Sequence, residues 1–409
     1  MGTSGMLTAL VAGVTLLTAC HPPATEAPDP SSTPAAGAPS AVRDQSTVFF
    51  PGAGDSYGVA VDQTDRDHLT ELAALRKIDP CGFVAAENAG RADDGRAALG
   101  GRAYSYTYNA VSNLLVGGDR LHTLGGNACA VALSDSKIGL LLTVNPGDPQ
   151  GYTGSTPLTP DPEHPGVTKT TSWGKCTYRV RLPLTAMAGA PPSMQDPMLQ
   201  VTPMSDGTWE LEDTSRCDLA GALAGDAAAL VSNRGVPVFT DKASAAAWYL
   251  SSDPCAAAED LSAQRFRWDD PHPGSQWPTT WRHPGTCQLD LGTADSGPDV
   301  RLAVIRRGLA IWPQLAADLV EPGTGQPAAK TQRYGIDLYS LSSGGDQSCK
   351  GFVVAKAADV LPVVNVGGGA PGLSAPTPTI VVDLIARGGA NCNEVATTAA
   401  VAAMKRGLR

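Results

Sequence analysis

The sequence predicts an α+β protein built as two similar tandem modules, each an antiparallel sheet with helices on one face and two disulfides. Three observations carry that expectation. Asp-Pro-Cys occurs twice, at Asp79-Pro80-Cys81 and Asp253-Pro254-Cys255, each time at the end of a helix-like run (Asp67 onward and Asp241 onward). After each, three further cysteines follow in the same order of landmarks. The chain of 409 residues also exceeds what one hydrophobic core usually covers.

At the N-terminus, Met6 to Leu17 form a short apolar run that leads into Leu17-Thr18-Ala19-Cys20. The run is too short to span a bilayer and has the length of a signal-peptide core, so residues 1–19 are expected to be a signal peptide. The four residues ending at Cys20 resemble the leucine-small-small-cysteine box of bacterial lipoprotein signal peptides. That resemblance implies cleavage before Cys20 and a diacylglyceryl group on its sulfur. Two or more acyl chains would hold the protein stably, at about 0.8 kcal/mol for each buried methylene. His21 to about Ser46 is dense in Pro, Ala, Ser and Thr and poor in large apolar residues, so residues 20–56 are expected to form a lipidated cysteine and an extended stalk.

The first module is expected over residues 57–234 and the second over 235–409. Cys129 leads Ala130-Val131-Ala132-Leu133 and Cys287 leads Gln288-Leu289-Asp290-Leu291; Cys176 leads Thr177 to Leu182 and Cys349 leads Lys350 to Val354. Alternating apolar positions in these segments predict strands with one buried face. Tyr104, Tyr106 and Tyr108, at period two, are expected on one face of a strand. Cys217-Asp218 and Cys392-Asn393 each precede an Ala-rich run, with Asp218 and Asn393 as N-cap candidates. Aromatic residues make up only 5% of the chain, so the core should be aliphatic and cross-links should matter more than usual.

Four cysteines in a module allow three connectivities. Sequential pairing is favoured, Cys81 with Cys129, Cys176 with Cys217, Cys255 with Cys287 and Cys349 with Cys392, because each pair then ties a helix end to a nearby strand. Loops of this length are worth about 3.5 to 4 kcal/mol each by the chain-entropy argument. Metal binding is the weaker reading: there is no CxxC, and the six histidines show no ligand spacing. No cofactor is expected.

The repeated Asp-Pro-Cys, the paired cysteines and the lipidation box together resemble families of actinobacterial cell-envelope lipoproteins of unknown function, which are small cysteine-braced α+β domains outside the membrane. The resemblance implies an envelope role and brings no catalytic residues with it.

Gly54-Asp55-Ser56-Tyr57-Gly58 matches the G-x-S-x-G nucleophile pattern, with Val48-Phe49-Phe50 as a candidate strand before it. However, Val59-Ala60-Val61 reads as extended where the elbow requires a helix. Ser134 to Lys137 and Ser172 to Lys175 match S-x-x-K without the companion motifs of penicillin-recognising enzymes. Arg265 to His283 gathers Trp268, Trp277, Trp281 and Arg282, flat rings and a planar cation suited to stacking on a sugar or gripping a partner; filling a Pro-rich loop is the competing reading.

A net charge of −10 with no Lys/Arg block argues against nucleic acid as a partner and suits an ectodomain beside an anionic membrane. The favoured expectation is a non-enzymatic binding or scaffold lipoprotein, held at the outer face of the cell membrane by its lipid anchor, with an envelope protein, glycan or lipid as partner. The alternative is a secreted serine hydrolase using Ser56. A two-lobed solute-binding protein is disfavoured because the modules read as self-contained.

Overall fold

The computed structural model describes residues 44–85, 99, 104–114, 121–133, 139–147, 158–172, 175–204, 214–239, 249–268, 283–292, 301–310, 319–320, 325–345, 348–356, 363–366, 373–387 and 392–407. Cys20, Trp277, Trp281 and Arg282, and the side chains of Cys349 and Cys392, lie outside the described part.

A one-turn helix α1 (Ser46–Phe49) leads through a turn at Tyr57-Gly58 into α2 (Gln63–Leu75). A reciprocal capping box starts α2: Asp62 Oδ1 accepts from Asp65 N at 2.9 Å, and Asp65 Oδ2 accepts from Asp62 N at 3.3 Å. Leu69, Leu72 and Leu75, spaced at three residues, form its buried stripe, and burial of each contributes roughly 1.5–3 kcal/mol. Seven strands follow: β1 (Tyr104–Leu114), β2 (Leu121–Leu133), β3 (Gly139–Asn145), β4 (Thr159–Pro160), β5 (Val167–Ser172), β6 (Lys175–Arg181) and β7 (Met198–Met204). Helix α3 (Thr214–Arg234) comes next and packs on β5, β6 and β7. Its buried face is Ala220, Leu223, Ala224, Ala227 and Val231.

Beyond it come the helical residues 249–251, a 3-10 turn over Pro254–Ala256, the short α4 (Ala257–Asp260) and eight strands. These are β8 (Arg265–Phe266), β9 (Thr286–Asp290), β10 (Arg301–Ala310), β11 (Ala329–Arg333), β12 (Ile336–Gly345), β13 (Ser348–Lys356), β14 (Val364–Val366) and β15 (Thr377–Arg387). Helix α5 (Cys392–Gly407) covers β12, β13 and β15 with Ala396, Ala399, Ala400, Ala403 and Met404 buried. Alanine at four of those places lets helix and sheet approach closely.

The first sheet runs β14-β1-β2-β3-β7-β6-β5-β4 and the second β11-β12-β13-β15-β10-β9-β8, every pairing antiparallel. With β14 set aside, both sheets read first, second, third, seventh, sixth, fifth, fourth strand of their own segment. Disulfides join Cys81 to Cys129 on β2, Cys176 on β6 to Cys217 on α3, and Cys255 to Cys287 on β9.

Four local expectations are corrected. Val48 and Phe49 are helical, not a strand, because the Gln45 carbonyl already accepts from the backbone N–H groups of both. Residues 44–56 are part of the folded body rather than the end of a stalk: Phe49 and Phe50 enter the first of two hydrophobic cores among the described residues, with Leu72, Leu142 and Val201, while Leu69, Ile305 and Val382 belong to the second. Gln45 grips the end of α3, donating to the Val236 carbonyl and accepting from Val236 N, both at 2.9 Å. Asp218 and Asn393 lie inside α3 and α5, which begin earlier at Thr214 and at Cys392, so neither is an N-cap.

The two halves are also more tightly joined than self-contained modules. Residues Ala41–Arg409 form one compact unit, and β14 of the second half completes the first sheet, with Tyr104 opposite Val366 and Tyr106 opposite Val364. Strand β10 lies across β1 and β2. Ser105, Ala128 and Ala130, on the face away from the tyrosines of β1, are buried there, and their small size allows the approach.

Candidate functional site

A largely buried polar cluster lies in the seam between the sheets, and the two Asp-Pro-Cys turns build it. In each turn proline fixes φ and cannot donate, and the aspartate accepts from the cysteine N–H two residues on: Asp79 Oδ1 from Cys81 N at 2.9 Å, Asp253 Oδ1 from Cys255 N at 2.8 Å. The second carboxylate oxygen of each then takes a tyrosine hydroxyl. Tyr108 donates to Asp79 Oδ2 at 3.1 Å, and Tyr57 donates to Asp253 Oδ2 at 2.9 Å.

Arg76, the C-cap of α2, donates through Nη2 to Asp253 at 2.5 Å and through Nη1 to the Pro284 carbonyl at 3.3 Å. One guanidinium thus holds both approaches to the Cys255–Cys287 bridge. Burial, followed by the Asp253 charge, drives the Tyr57 hydroxyl well above its ordinary range, so it stays protonated and donates.

Deeper in the seam, Arg307 on β10 is fully buried. Its Nη1 donates to the carbonyls of Tyr249 at 2.8 Å, Ser252 at 2.7 Å and Leu250, capping the end of the helical residues 249–251 with a positive charge. Its Nη2 donates to Asn127 Oδ1 at 3.0 Å and so reaches β2 of the other sheet. Burial pulls the Arg307 pKa down to about 9. His283, also buried, is pushed down to about 4 by burial, so its ring is neutral at pH 7.

Trp268 is not an open stacking platform. Its Nε1 donates to Asp65 of α2 at 2.6 Å, its ring meets His68 edge-on at 4.8 Å between centroids, and it stacks on Phe266 at 5.7 Å. The ring is a seam contact touching both cores. Tyr104, Tyr106 and Tyr108 share the face of β1 that meets the first core, as their alternation predicts.

Ser56 sits three residues after a bend and one before the Tyr57-Gly58 turn, and its carbonyl accepts from Val59 N at 2.9 Å. Residues 44–55 before it hold no strand and α2 begins seven residues later, so the strand-turn-helix elbow is not formed there; among the described residues no histidine bonds its hydroxyl.

A second cluster flanks α3. His164 Nδ1 bonds Asp161 Oδ2 at 2.9 Å, and Lys169 reaches Asp161 Oδ1 at 3.3 Å. Burial alone would raise the Asp161 pKa, but bonds from His164, Glu163 N and Lys169 outweigh it and hold the carboxyl below its usual value. The imidazole lies along α3 where Gly221 and Gly225 leave room for it. This arrangement docks a loop on a helix. A third feature is a shallow cavity of about 240 Å³ between α1 and the end of α3, lined by Asp44, Pro183, Ala186, Met187, Val231 and Val236.

Among the described residues no three His, Cys, Asp or Glu side chains gather as metal ligands, and no helix is long and apolar enough to cross a membrane. Neither a protein-family profile, nor a curated protein, nor a solved structure matches the chain.

Sequence reasoning overlooked Arg76, Arg307, Asn127, Tyr57 and His283 as site residues. The one usable signal was Arg306-Arg307 inside the otherwise apolar strand Leu302 to Leu309, where a charge must find internal partners.

Proposed function

We propose that this chain is an extracytoplasmic lipoprotein anchored through Cys20, a non-enzymatic binding or scaffold protein of the cell envelope. The observation that carries this reading is the placing of disulfides in both halves, Cys81–Cys129 and Cys255–Cys287, each joining an Asp-Pro-Cys turn to the second strand of its sheet. Cystines of this kind persist in oxidising compartments, and the only sequence signal for reaching one is the apolar run ending at Cys20.

The halves are best understood as diverged copies of one module. Their equal strand order, the matching positions of Cys129 and Cys287 and of Cys176 and Cys349, and the paired turn geometry support that reading. The scaffold role is supported by where the buried ionisable groups go: Arg76 and Tyr57 donate to Asp253, and Arg307 crosses the seam to the Asn127 side chain. Binding surfaces for an envelope protein, glycan or lipid would then lie on the exterior; Trp277, Trp281 and Arg282 stay candidate contacts on their sequence alone and lie outside the described residues.

The test is metabolic labelling with a palmitate analogue together with membrane fractionation. The native chain should incorporate label and pellet with membranes, and Cys20→Ala should lose both. An unlabelled native chain in the cytosolic fraction with reduced cysteines would overturn the reading.

A further inference from the structure

Arg307 is 2% exposed, and among the described residues no carboxylate hydrogen-bonds to it. The nearby carboxylate, Asp253, already accepts from Cys255 N, Tyr57 and Arg76. The charges that act on Arg307 are the Arg76 guanidinium and the Asp253 carboxylate, so around Arg307 two cations face one carboxylate and a positive charge is left in excess there. The donor count is also incomplete. Among the described residues Arg307 Nε and Asn127 Nδ2 are both buried without an acceptor, and they sit on the two side chains joined by the Arg307 Nη2–Asn127 Oδ1 bond. Both orphans are N–H donors, so both need an acceptor, and leaving either unmet costs about 1–3 kcal/mol. Water would satisfy the donors and leave the charge excess standing.

We propose that a monatomic anion of the halide class binds between Asn127 and Arg307, accepting from Asn127 Nδ2 and Arg307 Nε and locking the two sheets together. The site is independent of lipidation and of any envelope partner. An anion bound only by the folded chain raises its stability in proportion to the logarithm of anion concentration above Kd.

The experiment is thermal unfolding of the full chain as chloride replaces gluconate at constant ionic strength and pH 7. The native protein should show a Tm that rises by several degrees, climbing with the logarithm of chloride concentration above Kd. Asn127→Asp, which supplies the negative charge covalently, should unfold at a Tm that does not respond to chloride. Crystals grown in bromide provide a readout that does not depend on that variant folding: an anomalous peak within hydrogen-bond distance of both donors is expected. A flat chloride titration of the native chain, a water at that position, or a bromide peak without any Tm response, which would mark an adventitious ion only, overturns the proposal.

Discussion

Arg76 and Asp253 are joined at 2.5 Å across the two halves, with side-chain exposures of 5% and 16%. The pair terminates α2, fixes the second Asp-Pro-Cys turn and, through Pro284, the strand that carries Cys287. Buried pairs contribute little net stability relative to apolar replacements, but losing one partner strands the other charge.

Arg76→Ala should therefore lower the unfolding free energy by about 3–5 kcal/mol, and Asp253→Ala by a similar amount. The double variant should cost clearly less than the two singles added together, because neither member of the pair is left facing the other's absence. Denaturant unfolding of all four proteins measures this, and additive losses would show that the two side chains do not act as a pair.

Acid should weaken the fold through His283. Its folded pKa of about 4 lies below the ordinary value of 6.5, so the unfolded chain binds the proton first. Stability from this residue is complete above pH 6.5, declines as pH falls through that value, and is fully lost near pH 4, a change of about 3 kcal/mol. His283→Phe should flatten stability between those limits; an unchanged pH profile would refute the assignment.

Replacing a helical glycine by alanine ordinarily stabilises by up to about 1 kcal/mol. Gly225→Ala should do the opposite, since its Cβ would meet His164 Cδ2 at 2.7 Å while Asp161 holds the imidazole in place. Combining it with His164→Ala should recover part of the loss. Circular-dichroism melting distinguishes the outcomes, and a more stable Gly225→Ala protein would show that the loop does not rest on α3.

Tyr334 and Gly335 form the two-residue turn between β11 and β12, at φ of 53° and 78°, and the tyrosine is 79% exposed. Asparagine suits that left-handed position better than a bulky ring. Tyr334→Asn should raise stability by about 0.5–1 kcal/mol despite losing the Lys405 ammonium 3.4 Å from the ring centre. A drop in Tm would mean that the cation–ring contact outweighs the backbone strain.

Peptide mapping without reduction should recover Cys81–Cys129, Cys176–Cys217 and Cys255–Cys287 as linked fragments. Substituting both cysteines of the 32-residue separation, Cys255 and Cys287, by serine should cost about 4 kcal/mol. Scrambled linkages would break the correspondence between the two halves.

Local pattern was enough to read much of this architecture. Period-two runs after Cys129, Cys176, Cys287 and Cys349 fall in strands β2, β6, β9 and β13, and the runs after Cys217 and Cys392 fall in helices. These features depend on neighbours a few residues away, so composition and spacing carry them. The starts of α3 and α5 were misplaced because Asp218 and Asn393 fit an N-cap by type, while backbone hydrogen bonding begins before them. The seam belongs wholly to the tertiary structure. Arg76 looks like an ordinary helix end, Trp268 like one of a loop cluster, and Val364–Val366 like a fragment of the second half, yet they meet Asp253, Asp65 and β1. Such partners are distant in sequence, and backbone pairing and buried charge leave no periodic trace in either segment, so only the folded chain could bring them together.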